Sequence, residues 1–366
     1  MTSSVTNPGL DGVVVADTEI SEVDGERGRL VIAGADVEQL AASTGFEGAA
    51  RAVLAAGGGD PGGLDAALGA ARAAAWERVA WLGDALDHPD AMDALRTALS
   101  HLRPAPGRGA TSTSLGADAI AAIAAIGAAP VFVAAWQRRR AGQPPIEPDP
   151  RLGHAADYLR MTLGRPGDAA AVRALDAYLV TVVDHAMSAS TFTARVIAST
   201  ASDLISAMVG AVGALKGPLH GGAPAPVLDM LDAIGAPDRA EAWLAGELAA
   251  GRRIMGMGHR VYRVRDPRAA VLEEAVRPLA SLRLELARAV ERAAAKILRE
   301  RKPDRSLAVN VEFYTAVLLD AVGLPRDQFS ATFAVSRIAG WSAHVLEQRR
   351  TGRLIRPASQ YIGRYP

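Results

Sequence analysis

The sequence predicts a mainly α-helical protein with a small β segment near its N-terminus. Alanine-rich stretches with apolar residues at helical spacing occupy most of the chain, whereas β-branched runs cluster between Gly9 and Asp36. Glycine and proline separate the helical stretches and mark where they stop. The helical share should therefore lie well above that of an average globular protein.

The β segment holds three candidate strands, at residues 13–15, 19–23 and 30–32. Asp24-Gly25 and Gly34 stand between or beside them, and these residues favour turns. Together the runs predict a small antiparallel sheet.

Twelve further stretches have helical patterns. They cover residues 37–54, 63–75, 90–102, 115–139, 151–163, 168–188, 189–215, 224–234, 237–250, 269–301, 309–323 and 325–350.

Composition excludes several classes of function. The 366 residues include 40 basic and 40 acidic side chains, so the net charge of zero gives no broad basic field for nucleic acid. The absence of cysteine excludes disulfides, a thiol nucleophile and thiolate metal sites. Nearly all basic residues are arginines, whose planar guanidinium groups suit carboxylates and phosphates.

One stretch, residues 119–136, carries no charge and precedes Arg138, Arg139 and Arg140. Its length and flanking charge are compatible with a membrane span. Because it is mostly alanine and contains Gly127 and Pro130, we predict a buried core helix instead. The N-terminal residues lack the basic and apolar regions of a signal peptide, so a cytoplasmic location is expected.

Two glycine-rich connectors between helices are candidate sites, since functional residues concentrate in such loops. KGPLHGGAP (residues 216–224) contains His220, and IMGMGHRVYRVRDPR (residues 254–268) contains His259 followed by four arginines. NVEFY (residues 310–314), at a predicted helix start, is a third candidate.

Other chemistries fit these connectors poorly. No two of the seven histidines lie within one helical turn, so no zincin-type metal motif is present and no metal is predicted. His220-Gly221-Gly222 resembles an esterase oxyanion loop, but the chain has no G-x-S-x-G nucleophile elbow. Gly256-Met257-Gly258 lacks the third glycine and preceding strand of a dinucleotide site.

Histidine donors, a carboxylate and several arginines suit an acidic substrate whose carbonyl group is polarised during proton abstraction. A lone histidine is more often structural, and an arginine run is more often a solvated face. Two histidines in two glycine-rich loops favour a functional site over these simpler explanations.

The same residues resemble the citrate synthase family, and the resemblance runs almost from end to end. The order and spacing of the motifs that carry this resemblance are together specific to the family. The landmarks are GLDGVVVADTEISEVDGERGRL (residues 9–30), Asp184-His185, Ser190-Thr191-Phe192, KGPLHGGAP, MGHRVYRVRDPR, NVEFY, SRIAGW (residues 336–341) and Arg356-Pro357.

The resemblance implies condensation of oxaloacetate with acetyl-CoA, then hydrolysis to citrate and CoA, at the start of the tricarboxylic acid cycle. It implies no metal and no tightly bound cofactor, with acetyl-CoA as co-substrate. His220 would hydrogen-bond the thioester carbonyl, Glu312 would remove a proton from the acetyl methyl group, and His259 would polarise the ketone of oxaloacetate. His220 should be neutral, with a pKa lowered by burial and nearby arginines.

The binding residues follow from the same resemblance. Oxaloacetate would be held by His185, Arg268 and Arg337, with Arg356 donated by the neighbouring subunit of a homodimer. CoA would be bound by Arg263 and by the backbone of Ile254, Met255, Gly256, Met257 and Gly258.

The resemblance also implies two domains. Residues 1–221 with 324–366 would form a large helical domain, and residues 222–323 a small inserted one. The length suits the short dimeric members of the family.

Two residues depart from the common family pattern. Glu312 stands where aspartate is more usual, and Ser188 where many members have asparagine. Both leave the rate and the acyl preference open. The alternatives are therefore 2-methylcitrate synthase, which prefers propionyl-CoA, and more remotely a non-catalytic paralogue that only binds ligand.

Overall fold

A computed structural model describes residues 9–10, 12–59, 62–103, 114–221, 224–302 and 307–364. Gly222, the last glycine of the His220 connector, lies outside the described residues, as do residues 1–8 at the N-terminus.

Fifteen α-helices and three strands form within the described residues. The strands are β1 (Ser21–Asp24), β2 (Arg29–Ile32) and β3 (Ala35–Asp36). The helices are α1 (Val37–Ser43), α2 (Phe46–Ala56), α3 (Leu64–Val79), α4 (Ala91–Leu99), α5 (Ser114–Arg140), α6 (His154–Leu163), α7 (Ala169–Thr181), α8 (Ala189–Ser199), α9 (Leu204–Leu215), α10 (Pro224–Ile234), α11 (Ala240–Ala249), α12 (Pro267–Val276), α13 (Leu282–Arg301), α14 (Val311–Ala321) and α15 (Phe329–Thr351). Short 3₁₀ turns occur at Gly83–Asp87, Pro237–Arg239, Arg277–Leu279 and Arg326–Gln328.

The sheet is antiparallel in the order β1-β2-β3. Ser21 pairs with Ile32, and Asp24 with Arg29. The predicted strand at residues 13–15 is wrong: residues 13–18 have no regular structure, and Val14 is 85% exposed. None of the strands in the described part of the chain pairs with these valines, so their β propensity is not realised.

Two long helices make the centre of the fold. The inner helix α15 is buried along nearly its whole length and packs on α2, α5, α8 and α9. The apolar α5 packs on α3, α4, α6 and α15, and its residues 128–136 are buried. It is the one helix of the described chain that is long and apolar enough to cross a membrane, and it lies inside the fold as predicted.

Helix α5 continues through both Gly127 and Pro130. A Cβ at position 127 would lie 2.5 Å from the Cβ of Ala71. Glycine therefore permits the close approach of α3 and α5.

Several predicted helices are divided. Residues 37–54 form α1 and α2, which separate at Gly45, where the Asp176 carboxylate accepts the backbone N–H of Phe46 at 3.0 Å. Residues 189–215 form α8 and α9, and Asp203 caps the second. Residues 269–301 are interrupted by a 3₁₀ turn at Pro278.

Helix α7 ends at Thr181, seven residues before the predicted end of that helix. The released segment, residues 182–188, enters the candidate site.

Candidate active site

The connector around His220 is a tight turn after α9. The backbone N–H of His220 donates to Gly217 O at 2.9 Å, and the hydroxyl of Ser330 on α15 donates to Gly221 O at 2.9 Å. A Cβ on Gly221 would lie 2.6 Å from Leu215 O, so this turn needs glycine. The turn thereby holds His220 against α8 and α15.

The orientation of His220 fixes its tautomer. The backbone N–H and the hydroxyl of Ser190 lie 3.3 and 2.8 Å from His220 Nε2. Because the N–H can only donate, Nε2 is the acceptor and Nδ1 carries the proton. Trp341 Nε1 donates to Ser190 Oγ at 3.2 Å and orients that hydroxyl.

Burial, followed by the charge of Arg337, lowers the pKa of His220 to about 4. The predicted neutral imidazole is therefore confirmed.

The second connector, residues 254–268, is hydrogen-bonded to the segment before α14. Gly258 N donates to Ala308 O at 2.7 Å, Asn310 N donates to Gly256 O at 3.0 Å, and Asn310 Nδ2 donates to Gly258 O at 2.8 Å. Gly256 has a φ of +72°, and a Cβ there would lie 2.9 Å from the Phe313 ring. Two parts of the chain distant in sequence thus form one rigid unit.

His259 is also held in one tautomer. Its Nδ1 accepts the backbone N–H groups of Val261 at 3.0 Å and Tyr262 at 3.2 Å, so Nε2 carries the proton. Burial and then the charge of Arg268 lower the pKa of His259 to about 4. The site therefore holds two neutral imidazoles, with the proton on Nδ1 of His220 and on Nε2 of His259.

Tyr262 joins His259 to His185. Its ring centroid lies 4.8 Å from that of His259, and its hydroxyl lies 3.2 Å from His185 Nε2. The His185 and His259 rings are 5.5 Å apart in an edge-on arrangement.

Two buried arginines lie at the centre of the site. Arg268 makes a bidentate pair with Asp266 at 3.0 and 2.7 Å. Arg337 Nε donates to Val182 O at 2.7 Å, whereas its buried Nη2 has no hydrogen-bond partner among the described residues. An orphaned cationic donor of this kind is costly unless a ligand satisfies it.

Glu312 lies in the first turn of α14, where Asn310 Oδ1 accepts its backbone N–H at 3.0 Å. Its Oε2 is buried without a hydrogen-bond partner in the described chain. Burial raises the pKa of Glu312 to about 7, against the opposing effects of Arg268 and Arg337. A carboxyl group poised near neutrality is suited to general-base chemistry.

The two buried arginines act electrostatically on all the candidate catalytic groups. The charge of Arg337 acts on the pKa of His220, His185 and Glu312, and that of Arg268 acts on His185, His259 and Glu312. The structure therefore brings together the three predicted catalytic residues and the predicted oxaloacetate residues His185, Arg268 and Arg337.

Two further arginines that were predicted to bind substrate, Arg263 and Arg356, are exposed, unlike the buried Arg268 and Arg337. Arg263 is exposed, with Nε 3.9 Å from Glu26 Oε1, and its backbone N–H donates to Gly25 O at 2.8 Å. Arg356 is exposed on the C-terminal segment after α15, and the described contacts do not join it to the buried cluster. Of the predicted CoA residues, Ile254 and Gly256 are buried, and Met255, Met257 and Gly258 are half-buried.

Sequence reasoning gave no role to Ser190, Trp341, Tyr262 and Asp266, which orient the histidines and Arg268. All four lie inside the quoted landmark motifs, which was the available signal. No group of three or more metal-binding side chains occurs in the part of the chain that the structure describes.

Comparison with known proteins gives a consistent result. A family model described as "Citrate synthase, C-terminal domain" matches residues 9–358. A "Citrate synthase" from Deinococcus radiodurans is 36% identical, over 97% of this chain and 95% of that protein. A "2-methylcitrate synthase" from Mycobacterium tuberculosis is 37% identical, over 97% of this chain and 90% of that protein.

Solved structures agree with the sequence relatives. Citrate synthase from Thermotoga maritima matches with a TM-score of 0.83 and 33% identity, covering 99% of this chain and 97% of that one. The Thermoplasma acidophilum enzyme, solved as a ternary complex with carboxymethyl coenzyme A and oxaloacetate, matches with a TM-score of 0.84 and 27% identity, covering 98% and 96%. With a mainly helical fold, the assembled site and relatives above 30% identity over nearly its whole length, the chain belongs to the citrate synthase family.

Proposed function

We propose that the protein is a citrate synthase of the (Si) type, which condenses oxaloacetate with acetyl-CoA and water to give citrate and CoA. The observation that carries this proposal is a buried carboxyl group with a pKa of about 7 beside two tautomer-fixed neutral histidines and two buried arginines. Family membership makes the chain an enzyme that transfers an acyl group.

In this proposal Glu312 takes a proton from the acetyl methyl group. Its buried Oε2, which has no hydrogen-bond partner among the described residues, would accept that proton. His220 donates its Nδ1–H to the thioester oxygen as negative charge develops there. With a pKa of about 4, His220 remains a neutral donor at physiological pH.

His259 donates its Nε2–H to the ketone oxygen of oxaloacetate, which makes the carbonyl carbon more electrophilic. The enol carbon then attacks that carbon, and His259 supplies a proton to the new alkoxide. The two histidines thus act on the two reactants, and Glu312 acts between them.

Oxaloacetate is a dianion, and its carboxylates require several cationic donors. The unpartnered Nη2 of Arg337 is placed to meet one carboxylate, and His185 and Arg268 would contribute further contacts. Positioning both reactants in one site supplies the proximity contribution to the rate. Arg356 is proposed to act in the site of the partner subunit.

CoA is proposed to lie along the backbone of residues 254–258, with Arg263 near its phosphates. In support, the Thermoplasma acidophilum enzyme forms a ternary complex with carboxymethyl coenzyme A and oxaloacetate. The proposed reaction uses acetyl-CoA as co-substrate and needs no resident cofactor, because histidine donors polarise both carbonyl groups.

Three broader features belong to the same proposal. Residues 222–323 form a small domain inserted into a large one; in support, α10 packs on α13 and α14, and α11 packs on α13. The protein acts as a homodimer. It resides in the cytoplasm.

The second candidate is 2-methylcitrate synthase, favoured by the 37% identical relative of that name. One methylene in an acyl pocket changes discrimination by only about 1–3 kcal/mol, so the same catalytic residues serve either substrate.

The deciding experiment measures release of the CoA thiol with acetyl-CoA or propionyl-CoA, each with and without oxaloacetate. We expect oxaloacetate-dependent release and a kcat/KM at least about tenfold higher for acetyl-CoA. A higher kcat/KM for propionyl-CoA would assign the protein to 2-methylcitrate synthesis. Absence of release with both thioesters, while oxaloacetate still binds, would indicate the non-catalytic paralogue.

A further inference from the structure

The segment that carries His185, residues 182–188, is held in a strained shape. Ala186 has a φ of +48°, in the left-handed region that costs a residue with a Cβ about 1 kcal/mol or more. Val182 O at the start of this segment accepts Arg337 Nε. The segment therefore positions two oxaloacetate-binding side chains, and something must hold it in place.

Asp184 is the residue that holds it. Its fully buried carboxylate accepts the hydroxyl of Ser21 on β1 and, at 3.1 Å, the backbone N–H of Ala186. Ser21 Oγ accepts the same N–H at 2.8 Å. The strained residue is thus tied both to Asp184 and to the N-terminal sheet.

His344 on α15 completes the arrangement from the other side. Its Nε2 lies 3.2 and 3.3 Å from the two carboxylate oxygens of Asp184. Arg195 Nε and Nη2 lie 3.0 and 2.8 Å from His344 Nδ1. Because a guanidinium group only donates, Nδ1 accepts and Nε2 donates to Asp184.

Arg195 is itself fixed by Glu347 and by Gln348 Oε1, the latter at 3.1 Å. Asp184, His344, Arg195 and Glu347 are each at most 2% exposed. Asp184 and Glu347 balance the charges of Arg195 and Arg337. Asp184 Oδ2 accepts all the hydrogen bonds of this carboxylate among the described residues, whereas its buried Oδ1 lies only within ion-pair distance of His344.

We propose that Asp184, His344 and Ser21 are positioning residues that set the oxaloacetate affinity of the site. They hold the 182–188 segment so that His185 and Arg337 face the keto-diacid. The proposal rests on the function proposed above, since it assigns oxaloacetate to these two side chains. None of the three residues touches the reacting atoms.

The test compares His344→Leu, which removes the donor to Asp184, with His344→Gln, whose amide can still donate. His344→Leu should raise KM for oxaloacetate about tenfold and leave KM for acetyl-CoA within about twofold of the wild type. His344→Gln should bring KM for oxaloacetate most of the way back to the wild-type value. The matched control is His154→Leu: this histidine is also fully buried but packs on Phe46 in a different part of the fold. It should leave KM for oxaloacetate unchanged.

A second pair of variants covers the case in which His344→Leu fails to fold. Ser21→Ala removes a smaller contact and should raise KM for oxaloacetate about threefold to tenfold. Adding Ala186→Gly relieves the left-handed strain, so the double variant should recover part of the affinity. KM for acetyl-CoA should stay within about twofold of the wild type in both variants, which separates this recovery from a general change in stability.

Oxaloacetate binding measured by calorimetry separates the two proposals. If the wild type neither binds oxaloacetate nor releases CoA, the proposed function fails. If the wild type is active and Ser21→Ala and the folded His344 variants bind oxaloacetate as it does, the positioning role is wrong. Equal changes in KM for both substrates would also overturn it.

Discussion

At the residue scale, the proposed role of Glu312 as the base makes activity depend on the protonation of this carboxyl group. Its pKa of about 7 means that the free enzyme gains the carboxylate base as pH rises through 7. Both His220 and His259, with pKa values of about 4, stay neutral above pH 5. We expect kcat/KM to fall about tenfold per pH unit below 7, a limb that Glu312→Gln removes together with most of the activity.

The control for this assignment is a stability measurement. The pKa of Glu312 is higher in the folded protein than in the unfolded chain, so the protonated carboxyl group stabilises the fold. This stabilisation is fully present below about pH 4.5 and is lost as the pH rises through 7. Denaturant unfolding at pH 8 should then show Glu312→Gln more stable than the wild type, by up to about 3 kcal/mol. If the difference in unfolding free energy between Glu312→Gln and the wild type were the same at pH 5 and at pH 8, the raised pKa would be contradicted.

The candidate catalytic residues and their protonation could be predicted from the sequence where they lie in a recognisable motif. His220, His259 and Glu312 were named from their motifs, and the low pKa of His220 followed from expected burial near arginine. The orienting partners were not predictable, because Ser190 reaches His220 and Trp341 only through the packing of α8 on α15. Such contacts depend on tertiary structure rather than on local pattern.

At the element scale, the pairing of residues 254–258 with 307–310 depends on Gly256. We expect Gly256→Ala to be strained twice, by its positive φ and by the Phe313 ring 2.9 Å from the new Cβ. The variant should raise KM for acetyl-CoA at least about fivefold and lower the free energy of unfolding by about 1–3 kcal/mol. Steady-state kinetics and denaturant unfolding measure the two effects.

Gly246→Ala on α11 is the matched control, since nothing lies within 4 Å of its Cβ position. Alanine in this helix should be neutral or stabilising by up to about 1 kcal/mol and leave both KM values unchanged. If Gly256→Ala behaved like Gly246→Ala, the strain argument for the connector would be wrong.

Helix type was predicted well and helix ends poorly, for a physical reason. Local propensity favours continuation through residues 182–188, but Arg337 takes Val182 O and Asp184 takes the N–H of Ala186. These tertiary hydrogen bonds outweigh the small per-residue gain of continuing a helix. At residues 13–15 the local β propensity is not realised, since none of the described strands pairs with this segment.

At the scale of the whole molecule, the site is assembled from segments far apart in sequence. β1 reaches Asp184, the His220 turn rests on α15, and the 254–268 connector pairs with the chain before α14. The glycine-rich composition of the two connectors made them candidates, and only the family resemblance added Asp184-His185 to them. Their mutual placement follows from burial of the central helices α5 and α15, which no single motif encodes.

The C-terminal segment after α15 supplies the test of the dimer. It is anchored where Ile355 N donates to Ser199 Oγ at 3.0 Å, and Arg356 beside it is exposed. If Arg356 serves the partner's site, Arg356→Ala and Glu312→Gln homodimers should both be nearly inactive. A mixed dimer of the two variants would contain one site with both changes and one intact site.

Co-expression of Arg356→Ala with Glu312→Gln should therefore restore about a quarter of the wild-type activity, because about half of randomly assorted dimers are mixed and each has one working site. Arg364→Ala, on the same exposed segment, is the matched control and should be fully active as a homodimer. Were Arg356 to act within its own subunit, each site of the mixed dimer would lack one group and no activity would return. A fully active Arg356→Ala homodimer would remove this arginine from the site altogether.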